Sequence, residues 1–94
     1  MTTIDETKGN TGFIVEQRTP NGWSRVHGVG FASLYSATEF AKVNSKTFYR
    51  NERVLGVVFT SDKGSDNDYM PEYFYGEFDK HGEQVFHGPI YGVS

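Results

Sequence analysis

One stretch of the chain repeats its apolar residues at helical spacing, and shorter strand-like stretches lie on both sides of it. In SLYSATEFAKVNSKTF, Ser33 to Phe48, the residues Leu34, Ala37, Phe40 and Ala41 fall at i, i+3, i+6 and i+7. That spacing puts them on one helical face, with Thr38, Glu39, Lys42 and Lys46 toward the other side. Ser33 and Ser36 compete as N-cap. Ser36 would form a capping box with Glu39. Ser33 is preferred because it keeps Leu34 on the apolar face. The helix is expected to end near Asn44 to Lys46, since Asn readily takes a left-handed C-cap.

Period-two patterns flank this helix. In TGFIVEQR (11–18), Phe13, Val15 and Gln17 share one side of a strand, and Ile14, Glu16 and Arg18 the other. Thr19-Pro20-Asn21-Gly22 is a turn, because Pro fixes φ and Asn-Gly tolerates positive φ. WSRVHGV (23–29) reads as the return strand of a hairpin. RVLGVVFT (53–60) is apolar on both sides, as in a central strand covered on both faces. SDKGSDNDYMP (61–71) breaks the pattern and predicts a polar loop. EYFYGEFD and EQVFHG, joined at Lys80-His81-Gly82, predict a second hairpin. Its first strand would put Phe74, Gly76 and Phe78 toward the core and Tyr73, Tyr75 and Glu77 away from it. PIYGVS reads as a short extension along the sheet edge, and residues 1–10 as a flexible N-terminal arm.

The order is therefore β-β-α-β-β-β. Short connections favour antiparallel neighbours. The expected fold is α+β: a single twisted antiparallel sheet of four to five strands with one helix packed on one face. Ninety-four residues suit a single compact domain spanning 1–94. A domain of this size buries roughly 60–65% of the surface its unfolded chain exposes, enough for one two-layer core.

Composition narrows the function classes. The chain has no cysteine, so no disulfide or thiolate site is expected, which suits a reducing cytoplasm. No apolar run approaches the roughly 20 residues of a membrane span, and MTTIDETKGN has no apolar signal region, so a cytoplasmic location with no membrane partner is expected. Net charge is -3 but unevenly placed. Residues 1–60 hold seven Lys/Arg and five Asp/Glu, while residues 61–94 hold two Lys and seven Asp/Glu. Such a split suggests two electrostatic faces.

Several motifs hint at chemistry and stop short of it. Gly28-Val29-Gly30-Phe31-Ala32-Ser33, with Glu52 further on, approaches a dinucleotide fingerprint. The fingerprint needs a buried parallel strand, whereas WSRVH is polar and tied into a hairpin. His27, His81 and His87 lack ligand spacing for a metal. Asp62, Asp66 and Asp68 crowd one loop but lack the EF-hand order and its distal Glu. No Cys is present and no Ser sits in a nucleophile elbow. Glu77 and Glu83 could face each other across a hairpin, but acid–base work needs a cleft that shifts their pKa values. The sequence thus predicts no enzyme activity, catalytic residue, metal, cofactor or small-molecule substrate.

Two surface patches are candidates for a partner. Tyr73 and Tyr75, with Glu77, would form an outward aromatic patch of the kind favoured at interfaces. Lys42, Lys46, Arg50 and Arg53 would form a basic patch able to meet nucleic-acid phosphates. YFYGEF lacks the Arg/Lys-Gly start of an RNA-recognition motif, and a pI near 5.5 argues against autonomous DNA binding.

The opening MTTIDETKGNTGFIVEQRTPNGWSRV and the helix FASLYSATEFAKVN resemble those of bacteriophage anti-CRISPR proteins directed at type I surveillance complexes. The resemblance runs over the whole chain in kind and carries no diagnostic motif, so no residue role comes with it. It implies occupancy rather than catalysis: a non-enzymatic inhibitor that binds a host protein or ribonucleoprotein complex, with possible contact to the guide RNA backbone, and blocks target DNA recognition. The other reading of the residues is a small regulatory module that binds nucleic acid or self-associates through a sheet edge.

Overall fold

The computed structural model describes residues 8–26, 30–60 and 69–91. Its elements run β1 (Thr11–Thr19), β2 (Gly22–Arg25), α1 (Leu34–Phe48), β3 (Glu52–Phe59), β4 (Tyr69–Phe78) and β5 (Gln84–Tyr91). All pairings are antiparallel and the spatial order is β2-β1-β3-β4-β5. The fold is α+β: one open five-stranded antiparallel sheet and one helix, which packs on β1, β3 and β4.

The central strand explains the two-sided apolar pattern of RVLGVVF. Val54, with Val15 and Phe78, faces the helix residues Ala37 and Ala41. Leu55, Val57 and Phe59 join Ile14 in a second cluster on the other face, which we call the distal face. Burying each such large apolar side chain contributes roughly 1.5–3 kcal/mol.

Ser33 caps α1, accepting from the Ser36 N–H at 3.1 Å. This hydrogen bond selects Ser33; Leu34 is 36% exposed and is not held on the buried face. The buried helical positions are Ala37, Ala41 and Ser45, at i, i+4 and i+8, with Phe40 partly buried beside them. The helix runs past the expected end at Asn44 to Lys46. Ser45 and Thr47 return their hydroxyls to the Lys42 and Val43 carbonyls. Tyr49, at φ 54°, takes the left-handed cap position. Asn44 instead donates to the Glu52 carboxylate.

The first hairpin turns at Pro20 and Asn21, with Thr19 opposite Gly22. Beyond β2, Val26 donates to the Val15 carbonyl, and Phe31 exchanges two hydrogen bonds with Phe13 at 2.9 Å. His27, Gly28 and Val29 lie outside the described residues. So do Asp62, Asp66 and Asp68 of the expected polar loop, and the expected arm as far as residue 7. Tyr69, Met70 and Pro71, expected in that loop, belong to β4. At the other end, β5 continues through Pro89 to Tyr91, so PIY is strand and not a separate extension. Gly9 and Asn10, expected in the arm, are hydrogen-bonded to Phe59.

Candidate partner-binding surface

The site starts from irregularities in the pairing of β4. Register shifts fall between Val54/Leu55 and Gly56/Val57 against β3, and between Phe74/Gly76 and Glu77/Phe78 against β5. A bulge inserts one residue and reverses which side chains follow on each face. Phe74 stands opposite Leu55, on the distal face, and Tyr73 opposite Gly56, on the helix face. Tyr75, between them and Gly76, packs on the helix-side core.

The expected outward patch is thereby corrected. Tyr73 and Tyr75 do not face away from the helix, and Phe74 and Phe78 do not share a face. Glu77 lies opposite Arg53 on the distal face, where its carboxylate accepts from the Asn51 amide at 3.0 Å. The sheet separates Glu77 from the two tyrosines.

The basic patch is corrected as well. Arg53 lies on the distal face with its Nη2 2.6 Å from Glu16 Oε1, and its side chain is 16% exposed. Its guanidinium sits 4.4 Å from the Trp23 ring centre and 5.9 Å from that of Phe74. The Tyr69 hydroxyl donates to the other Glu16 oxygen. Burial first, then the Glu16 hydrogen bond, hold the Tyr69 phenol above its ordinary pKa of 10.0. Arg50 reaches the buried Glu52 carboxylate at 3.0 Å and covers the Phe48 ring. Both arginines are committed inside the fold. Lys42 and Lys46 are exposed on α1, beside the β4–β5 turn. At Gly82, φ 79°, a Cβ would lie 3.4 Å from the Lys42 carbonyl oxygen and from Lys46 Cβ. The four cations form no single patch.

A different surface is brought together on the helix side. There the sheet carries Phe13, Gly56, Tyr73 and Tyr75 beside the entry to α1. The Phe13 and Tyr75 rings meet edge to face at 5.5 Å, Tyr75 and Tyr73 meet at a tilt at 5.7 Å, and Tyr73 and Tyr91 meet edge to face at 5.2 Å. Tyr91 is 72% exposed and Tyr73 36%; Met70, opposite Val58, is also exposed. Gly56 makes the arrangement possible. A Cβ there would stand 2.7 Å from the Tyr75 ring, so only glycine lets that ring lie across β3.

Sequence reasoning found Tyr73 and Tyr75 but missed Phe13, Glu72 and Tyr91. The strand alternation of residues 11–18 placed Phe13 correctly. The reach of β5 to Tyr91 and the bulges had no comparable signal. Among the described residues, no group of three or more His, Asp or Glu is placed to hold a metal ion. Nor is any helix among them long and apolar enough to cross a membrane. No family model matches the chain, and neither a curated protein nor a solved structure is significantly similar to it.

Proposed function

We propose that the protein is a non-enzymatic inhibitor that acts by occupancy, binding a host type I CRISPR surveillance complex and blocking target DNA recognition. The observation that carries the binding reading is the run of linked rings Phe13–Tyr75–Tyr73–Tyr91, exposed at its outer end. Large rigid rings cover partner surface at low entropic cost and dominate the energetics of interfaces. Charge supports the same reading. Glu72, Asp79 and Glu83 belong to the β4–β5 hairpin or its turn, which suits a partner whose Lys/Arg residues normally hold DNA. The identity of the target rests on the resemblance of the opening and helix segments to anti-CRISPR proteins.

A gel-shift assay with the purified surveillance complex and labelled target duplex tests this. Preincubation with one equivalent of the protein is expected to abolish the shift. Undiminished target binding at large excess would sink the reading, as would a shift of free duplex by the protein alone.

One observation favours a second reading, self-association. Strand β5 is an edge, and Val85, Ile90 and Tyr91 on it are exposed. Unpaired edges recruit further strands, although Pro89 withholds one donor. Sedimentation velocity of the protein alone separates the readings: a monomer is expected under the first and a dimer under the second.

A further inference from the structure

The rings beside Gly56 border a cavity of about 240 Å³, lined by Phe13, Tyr73, Tyr75, Glu72 and the backbone of Gly12 and Gly56, among others. From its chemistry we propose that this cavity receives the guanidinium of an arginine side chain presented by the bound protein. The inference deepens the occupancy reading and rests on it for the source of the arginine.

Size is the first argument. Pockets for drug-sized ligands run roughly 300–1,000 Å³. This one is smaller and fits the head of a side chain rather than a nucleotide. Its lining is the second. Phe13, Tyr75 and Tyr73 stand in successive tilted or edge contacts, so their rings close a corner rather than a flat floor. Aromatic faces attract cations through the ring quadrupole, most strongly where water is displaced. The third argument is Glu72. It is half-buried at the rim and makes no ion pair or side-chain hydrogen bond among the described residues. No Lys or Arg lines the cavity. By contrast, Glu16, Glu52 and Glu77 are all engaged by partners of their own.

A planar guanidinium satisfies both features at once. It stacks on an aromatic face and presents a fork of N–H donors that matches a carboxylate. The protein already uses this chemistry internally, where Arg53 lies between Trp23 and Phe74 while paired to Glu16. The cavity offers rings and a carboxylate of the same kinds, with no Lys or Arg in its lining.

The test is an NMR titration of the isotope-labelled protein with N-acetyl-arginine N-methylamide, its uncharged citrulline counterpart, and choline. Saturable shifts at Gly12, Gly56, Tyr73 and Tyr75 are expected with the arginine probe, at millimolar affinity, and at least tenfold weaker binding with citrulline. Glu72→Gln, which keeps the shape, is expected to weaken the arginine probe five- to tenfold at unchanged Tm. Equal binding of arginine and citrulline, absence of saturable shifts, or indifference to Glu72→Gln would overturn the proposal. Choline binding as tight as arginine would also overturn it, by assigning the cavity to a free quaternary ammonium. The surveillance complex takes no part in this titration. Failure here with DNA blocking intact removes the cavity assignment alone; the converse removes the occupancy reading and the source of the arginine, and leaves the guanidinium chemistry of the cavity standing.

Discussion

At the scale of single residues, three positions carry much of the account. Gly56 is needed for close approach. Gly56→Ala is expected to push the Tyr75 ring off β3 and to cost about 1–3 kcal/mol, the usual range for overpacking. Urea denaturation measures the loss, and a changed Tyr75 ring shift locates it. Glu16 and Arg53 form a largely buried pair braced by Tyr69 and Trp23. Arg53→Ala takes the cation from Glu16 Oε1 and leaves the Tyr69 hydroxyl on the other oxygen, and breaking a buried pair costs up to about 3–5 kcal/mol. Arg53→Ala should therefore lower Tm sharply, so loss of partner binding in that variant would report folding.

Glu52 gives a pH dependence with a definite sign. Its carboxylate is fully buried, and burial raises its pKa from the ordinary 4.5 more than Arg50 and Asn44 lower it. One of its oxygens has no hydrogen-bond partner. The folded state therefore holds the Glu52 proton more tightly than the unfolded state. That contribution is fully present below pH 4.5 and is lost as pH rises through the raised folded value. Glu52→Gln removes this titration. In denaturation series from pH 4 to 8, the stability of the variant relative to the parent should climb with pH above 4.5 and then level off. A difference that is flat or falls across that window contradicts the assignment.

At the scale of elements, α1 depends on its cap. Ser33→Ala removes the acceptor for the Ser36 N–H and should cost about 1 kcal/mol, read as a lower Tm in thermal denaturation. The elements were also the scale most legible in the sequence. Alternation in 11–18 sorted the side chains of β1 onto two sides, and the two-sided apolar run 53–60 marked β3 as the covered central strand; neither strand is bulged in its pairing to the other. Pro20-Asn21-Gly22 marked the first turn and Ser33 the helix start. The faces of β4 were not legible. A bulge is a change of one residue in pairing partner, set by both strands together, and YMPEYFYGEF alternates plausibly in either register. The helix end was misplaced for a related reason. Asn44 looks like a cap, but it is drawn to Glu52, and the left-handed position falls to Tyr49, whose ring packs edge to face on His81 at 5.5 Å. Arginine reads as surface charge in a sequence. That Arg50 and Arg53 are consumed by Glu52 and Glu16 depends on partners brought in by the fold.

At the scale of the whole molecule, the sheet separates two kinds of surface. The distal side spends its charges internally, on Glu16 with Arg53 and on Glu77 with Asn51. The helix side leaves rings and a carboxylate outward at the end where α1 begins. Lys42 and Lys46 lie further along the helix, by the β4–β5 turn. Under the proposed function, Lys42→Glu and Lys46→Glu together should weaken binding to a surveillance complex less than loss of the tyrosines, since exposed rim charges contribute little once bound.

The most direct measurement is the affinity of the protein for the purified type I surveillance complex, taken for the parent and for Tyr73→Ala combined with Tyr91→Ala. Neither ring belongs to the buried core, so the double variant should still fold, which its circular dichroism and cooperative melting check. If the linked tyrosines are the contact, binding weakens at least thirtyfold, the loss of an interface hot spot of about 2 kcal/mol. If the folded double variant binds as tightly as the parent, the partner is held elsewhere and the account is contradicted.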